Sequence, residues 1–547
     1  MRSLLLRAGT LLSRRHWRLI EREAARPGAA QQEALTRILR ANHTARFGVE
    51  HGFADIRDPS QFRERVPVQH YESLRPYIDE QRQTGAAALT TESPLFYAQT
   101  SGTTGQPKYI PITPAMLAMQ RDEQTLFSYL QFRACPEAFA GKALGIMGAA
   151  VEGHLDTGQV VGSVSGHLYE SLPRMVRSRF VVPPEVFRIA DYDLKYLIIL
   201  RLALGEPHIT YLGSPNPTTF LRLLDVLNAR RDLLLESLET GRLDAFTGLE
   251  PSVRDSVARR LKPDPARAAR LRLAPALTFA TVWPDIRLVT TWTGGSCGVA
   301  LRAVREKLPP KAIVMELGYQ SSECRGTIAL TAETSEGLPP LHHHFFEFVE
   351  PARWDGGNPE FLGLEQLEEG KRYYVLFTTA AGLYRYFMND LVDVGGFFQR
   401  TPLLRFVQKG KGVTSLTGEK LYEAQTIEAV QDVCRRYDLT ATFFVLVADE
   451  DASAYRLFIE LGERHQLDAR AMAAAVDQRL GDLNIEYHGK RQSGRLGPLT
   501  VACLKPGAAE AYKAACVRTG QREMQFKPAA LQYRKSLALA FDDYVVT

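Results

Sequence analysis

Cysteine is scarce in this chain, with six in 547 residues. Cys135, Cys297, Cys324, Cys434, Cys503 and Cys516 include no C-x-x-C pair. Their scatter excludes a zinc ribbon or a disulfide scaffold and reads as reduced thiols in a cytoplasmic protein. Long apolar runs are also missing, so no integral membrane segment is expected. Charge of one sign is missing too: 67 Lys and Arg against 62 Asp and Glu leave +5. So weak a bias suits small anionic substrates, and without a recognition-helix signature it gives no nucleic-acid partner. No internal repeat or low-complexity segment interrupts the chain. The basic, leucine-rich start, Met1 to Trp17, lacks acids until Glu21. Arg7 breaks its apolar stretch, which disfavours a signal peptide and leaves an amphipathic helix as the plain expectation.

What is present is an alternation of strands and helices. Helical spacing runs over 31–46, Tyr71 to Tyr77, 193–204, 217–227 and 299–308. Short apolar strands fall at Leu95 to Tyr97, 208–212, 286–292 and 312–315. Strand–loop–helix repetition of this kind predicts an α/β fold with its loops gathered at strand ends. From Phe345 the pattern becomes richer in strands, at 345–349, 373–377 and 384–394. Small and charged residues at Gln408-Lys-Gly-Lys-Gly412 then mark a boundary. Beyond it come helix 421–437, strands 441–447 and 455–460, and helix 468–480, a small α+β domain. The length predicts a large N-terminal domain, 1–409, and a smaller one, 410–547.

The most informative stretch is Tyr97-Ala-Gln-Thr-Ser-Gly-Thr-Thr-Gly-Gln-Pro-Lys108. Glycines let backbone N–H groups turn inward, the hydroxyls of Thr100, Ser101, Thr103 and Thr104 add donors beside Gly102, and Lys108 adds positive charge. Together they form a cradle for phosphate oxygens. A Walker A loop is excluded, because Tyr109 stands where a Ser or Thr would hold magnesium.

This loop resembles the first motif of the adenylate-forming superfamily. More specifically, the chain resembles the auxin-responsive (GH-three) family of acyl acid–amido synthetases. Ala41-Asn-His-Thr-Ala-Arg-Phe-Gly48, His51-Gly-Phe53 and Arg65-Val-Pro-Val-Gln-His-Tyr-Glu-Ser-Leu-Arg-Pro-Tyr77 carry that narrower likeness. It runs from about Gln31 to the C-terminus. It implies a large adenylate-forming domain of mixed sheets, helices and a small β-barrel, followed by a mobile α+β domain.

Three further constellations join it. Tyr319-Gln-Ser-Ser-Glu323 alone reads as a polar turn. By resemblance, Tyr319, Ser321 and Ser322 border the nucleotide and Glu323 holds Mg²⁺ between phosphates. Gln320 departs from the family's glycine and puts the turn geometry in question. Gly382-Leu-Tyr-Arg-Tyr-Phe-Met-Asn-Asp390 resembles the family's ribose strand. A carboxylate such as Asp390 suits a vicinal diol, since each oxygen accepts a bond. Asn389 replaces a glycine there but tolerates positive φ, and Asp393 reads as an ordinary polar strand position. Gln525-Phe-Lys-Pro528 resembles the family's catalytic-lysine segment, which makes Lys527 the cation brought to the α-phosphate. Thr293-Gly-Gly-Ser296 resembles the loop bordering adenine, with Gly295 and Ser296 at the nucleotide. Gly410-Lys411 stands where the superfamily has Gly-Arg at its hinge, so Lys411 keeps the charge without the planar fork. Gly418-Glu-Lys-Leu421 resembles the entry to the small domain.

The resemblance implies ATP and Mg²⁺ as cofactors, a small carboxylic acid and an amine or amino acid as substrates, and a monomer. The acid is adenylated and then passed to the amine, with rotation about Lys409–Gly412 between the two steps. An acyl-CoA ligase would share the first step. A catalytically weak nucleotide-binding protein would share only the binding residues. The triplet His342-His-His344, read as a strand, places His342 and His344 on one face but suggests no third metal ligand. Asp156, Ser163 and His167 offer hydrolase residue types without a nucleophile-elbow context. The acyl pocket is expected along 158–175, 208–217 and 291–297.

Overall fold

In a computed structural model, residues 16–100, 108–294, 297–410, 412–414, 416, 419, 421–449, 451–462, 468–492, 496–519, 523 and 526–546 are described. The chain divides into two compact units. One comprises Met1–Ser214, Leu223–Thr291 and Pro309–Phe406, the other Pro215–Arg222, Trp292–Leu308 and Val407–Thr547.

The first unit holds a four-stranded parallel sheet in the order Lys142–Gly145, Ile209–Gly213, Leu288–Thr291, Ile313–Glu316. Its strands are mostly buried along their length, polar positions such as Thr290 and Glu316 included, as parallel strands covered on both faces are. Leu288–Thr291 is buried at every position. The helix Tyr192–Leu204 buries Ile198, Ile199, Leu200 and Leu202 to Leu204. Beyond the last strand the chain reverses at Gly318, which has φ +96°. A Cβ there would lie 2.2 Å from the Thr327 carbonyl oxygen, so only glycine fits.

A second sheet begins with the hairpin Phe96–Thr100 and Lys108–Ile112, antiparallel, with Thr100 opposite Lys108. The helix Pro114–Ala134 follows immediately, capped by Thr113, whose hydroxyl accepts from the Met116 amide. The third sheet is antiparallel and six-stranded. Its order is Phe345–Val349, Arg372–Thr378, Tyr386–Phe398, Thr401–Lys409, Gly337–Leu338, Ile328–Ala329.

Pairing between Arg372–Thr378 and Tyr386–Phe398 shifts register: Val375 faces Asp390 while Leu376 faces Phe387. Met388 and Asn389 form the resulting bulge, and Asn389 takes φ +59°. Asparagine is among the side chains that tolerate this region, so the glycine of the resembling motif is dispensable here.

The second unit centres on the sheet Thr500–Leu504, Ala454–Leu461, Ala441–Asp449, Leu531–Tyr533. Alternation along Ala441–Asp449 separates two cores. Phe444, Leu446 and Ala448 pack with residues of the helices Glu423–Arg436 and Ala469–Leu483. Phe443, Val445 and Val447 pack with Tyr512 and Cys516 of Ala508–Arg518.

The histidine triplet does not follow strand geometry. His342 to His344 lie in the turn before Phe345–Val349, not on a strand. His343 Nδ1 is 2.8 Å from Glu123 Oε1. The buried Glu123 carboxyl is held down at about 2, against the cost of burial, by its hydrogen bonds and charge interactions with His343 and His344. Burial lowers the His343 imidazole.

Candidate active site

In the first unit, residues from three sequence motifs meet. The 319–325 turn is held by its own hydrogen bonds. Ser321 N–H donates to the Cys324 carbonyl, and the Ser321 hydroxyl accepts from the amide of Glu323. Gln320 pairs with Arg325 as an isolated bridge and is not among the described residues with positive φ. The turn therefore does not need glycine at 320, because the left-handed step sits at Gly318. Gly326 has its own requirement: a Cβ there would lie 2.4 Å from the Tyr319 ring.

Tyr319 connects this turn to the strand of Asp390. Its hydroxyl donates to Asp390 Oδ2 at 2.5 Å, and its ring stacks on Phe406 at 5.3 Å. Burial, and then the Asp390 charge, push the phenol well above its ordinary value, so it remains a donor. Asp390 is 2% exposed. A carboxylate offers about four lone-pair positions, so the tyrosine bond fixes its orientation and leaves acceptor capacity for a diol. Glu323 is 8% exposed.

Two further tyrosines complete the set. Neither was singled out by the sequence. Tyr386 is buried, and its phenol is raised by burial and then by the neighbouring Glu323, Tyr71 and Asp390. Tyr71 accepts from the Tyr109 amide at 2.7 Å, and Lys108 Nζ lies 5.7 Å from its ring centroid. Tyr71 thus fixes the strand that leaves the glycine-rich loop. The only signal in the sequence was its place in the segment 65–77. Cys324 is buried, and its thiol is raised far up by burial and then by Glu323, Glu123 and Asp390. It is therefore neutral and not a nucleophile.

Ser163 and His167 are not a catalytic pair. The Ser163 hydroxyl accepts from Gly166 N–H, capping Val164–Glu170, and His167 stacks on Phe96. Asp393 is also not at the site; it binds Arg372 and Arg405.

In the second unit, Lys527 lies on the non-regular segment 526–530. Its Nζ is 4.1 Å from the Trp292 ring centroid. Glu423 accepts from the Ala530 amide at 2.5 Å, and burial raises its carboxyl. Ser101, Gly102, Thr103, Thr104, Gly295, Ser296 and Lys411 lie outside the described residues. Thr100 is placed by its backbone alone, as the last residue of its strand.

The arrangement offers oxygen donors from Glu323, Ser321 and Ser322, the set a hard divalent cation takes. It also offers a fixed carboxylate at Asp390 and a cation at the mouth of a glycine-rich loop. Such a set suits a nucleotide.

Known proteins resemble the chain along most of its length. Residues 17–313 match the GH3 family N-terminal domain, 338–409 the GH3 family central domain and 424–535 the GH3 family C-terminal domain. An indole-3-acetic acid-amido synthetase of Oryza sativa subsp. indica is 24% identical, covering 93% of this chain and 89% of its own. A jasmonoyl–L-amino acid synthetase of Oryza sativa subsp. japonica is 25% identical, covering 93% and 92%. Among solved structures, an acyl acid amido synthetase in complex with 2,4-DB shares the fold at TM-score 0.87 and 21% identity, covering 98% and 96%. A 2-hydroxyisobutyryl-CoA ligase with a bound acyl-AMP shares it more distantly, at TM-score 0.54 and 13% identity over 94% and 92%.

Proposed function

The chain belongs to the GH3 family, and from that premise we propose that it is an ATP-dependent acyl acid–amido synthetase. A substrate carboxylate oxygen attacks the α-phosphorus of ATP. The bond to the β-phosphate breaks, and pyrophosphate leaves. An amine nitrogen, most simply that of an amino acid, then attacks the acyl carbon of the adenylate. The carbon–oxygen bond to AMP breaks, AMP leaves, and the nitrogen loses its proton. Relatives named for indole-3-acetic acid and for jasmonoyl–amino acid formation support a small acid and an amino acid as substrates.

The observation that carries this reading is the Tyr319–Asp390 bond, with Glu323 in the same turn as the tyrosine. It joins two motifs 71 residues apart into one polar cradle. Within it, Asp390 receives the ribose hydroxyls and Glu323, with Ser321 and Ser322, holds Mg²⁺. The metal would neutralise phosphate charge. Lys108 and the loop 100–104 take the leaving pyrophosphate. Gly295 and Ser296 border adenine, and Lys411 stands at the hinge. Lys527 offsets charge at the α-phosphate, an electrostatic role that acts in the transition state. Much of the remaining catalysis is positioning. The division into 1–409 and 410–547, a monomeric state and a cytoplasmic location belong to the same proposal. Six cysteines without a disulfide support the last.

The test is product analysis. The protein is incubated with Mg-ATP and a panel of aromatic and aliphatic acids, with amino acids or CoA offered as acceptors. Amide and AMP are expected. Thioester without amide would make the chain an acyl-CoA ligase. Nucleotide binding with neither product from any acid would leave only a binding protein.

A further inference from the structure

Trp292 is placed unlike the chain's other well-buried indole. Trp283 is a structural tryptophan: fully buried, with its Nε1–H donating to the carbonyls of Ala203 and Glu206, each at 3.1 Å. Trp292 is 9% exposed, yet its buried Nε1–H has no acceptor among the described residues. Buried indole N–H groups normally find a partner, so packing alone is a poor account of this position. What Trp292 does have is a cation on its face, Lys527 Nζ, 4.1 Å from the ring centroid. Within about 6 Å the ring quadrupole attracts an ammonium, and most strongly where water is excluded.

The backbone around Lys527 is gripped on both sides. The Phe526 carbonyl accepts from the Nδ2 of Asn216, a residue whose Oδ1 accepts from Thr218 N–H at 2.9 Å, the first amide of the helix Thr218–Ala229. The Ala530 amide donates to Glu423 Oε1. The Trp292 amide donates to the Pro215 carbonyl at 2.8 Å, tying the indole to the segment that carries Asn216. The strap is thus fixed at residues 526 and 530, and the indole face aims the long lysine side chain between them.

We propose that Trp292 is a positioning residue for Lys527, its ring face holding the ammonium in line for adenylation. This rests on the reading of Lys527 as the adenylation lysine. The ring does not touch the reacting atoms in this account. It shortens the search of a four-carbon side chain, so it acts on the first half-reaction and only through the lysine.

The test is a double-mutant cycle on the rate of acyl-adenylate formation, with thermal midpoints recorded alongside. W292L is expected to slow that step roughly tenfold with KM for ATP kept, and W292F to fall between. W292L should add nothing to K527A, and amide formation from supplied acyl-adenylate should be unchanged. Fluorinated tryptophan at position 292 weakens the ring face while keeping its shape, and covers the case in which W292L does not fold; a graded slowing is expected. Equal slowing of both half-reactions, additivity with K527A, or a wild-type rate with the fluorinated ring would overturn the inference. A wild-type rate in K527A would overturn the lysine assignment itself, and the inference with it.

Discussion

Asp390 sits inside a strand of thirteen residues, in register with Val375 and bonded to Tyr319. Lys527 sits on a strap without regular structure, its neighbours Phe526 and Ala530 held by backbone hydrogen bonds and its ammonium set against one ring face. Both groups are charged and both are assigned to the same nucleotide, yet they are mounted in opposite ways. The acid is part of a sheet's frame, so its geometry exists before ligand arrives. The lysine is carried on irregular backbone, and its side chain reaches the ring face from there. A frame suits binding, which must be pre-formed to avoid ordering costs. A long side chain on an irregular segment suits a charge needed only during one chemical step.

Mutations should separate the two mountings. The largest effect is expected in the frame. Glu347 is 1% exposed and accepts from the Nε of both Arg385 and Arg63, each at 2.9 Å. Removing one partner of a buried pair costs about 3–5 kcal/mol, so Glu347→Ala should lower the urea midpoint sharply and with it ATP binding. An unchanged midpoint would mean that the strand start is anchored elsewhere. Next comes the strap. Lys527→Ala should slow adenylation by about 10²-fold, the scale of one lost electrostatic stabiliser, with ATP affinity and thermal midpoint kept. Asp390→Ala should do the reverse. Losing charge-assisted bonds of about 1.5–3 kcal/mol should weaken ATP binding in calorimetry more than it slows turnover at saturation.

The frame should also respond to acid. Glu123 is held at about 2 against an unfolded value of 4.5, so its contribution is full above pH 4.5 and is lost as pH falls towards 2. His343 is lowered below 6.5. The unfolded chain therefore takes up that proton first, and stability begins to fall as pH drops below about 6.5. Unfolding midpoints across this range should flatten near 6.5 in His343→Asn and below 4.5 in Glu123→Gln. Parallel curves for wild type and variants would contradict it. The smallest change is Asn389→Gly. The native φ of +59° suits both residues, so stability should move by less than about 1 kcal/mol, whereas Asn389→Val should cost more.

Much of this frame was legible in the sequence, because its signals are local. Apolar runs at 208–212, 286–292 and 312–315 marked three of the four parallel strands, the short Lys142–Gly145 going unread, and Asn389 carried its own tolerance of positive φ. The motif likeness pointed to Glu323, Asp390 and Tyr319, although the bond between the last two spans two motifs and no spacing announces it. The helix Pro114–Ala134 was not seen, because its buried face includes Gln120, Glu123 and Gln131, which blur the apolar stripe. The same burial explains the histidine triplet. Its partner Glu123 is 220 residues away from His343, so strand spacing was the wrong guide. Tyr71 was missed for a related reason: a single aromatic on an amphipathic helix reads as core until Tyr109 is seen against it.

Carboxylate-dependent exchange of labelled pyrophosphate into ATP tests the central claim most directly, since it needs adenylation and no acceptor. The account predicts exchange with at least one acid of a broad panel, lost in Lys527→Ala under saturating ATP. No exchange with any acid, in protein that still binds ATP, would contradict it.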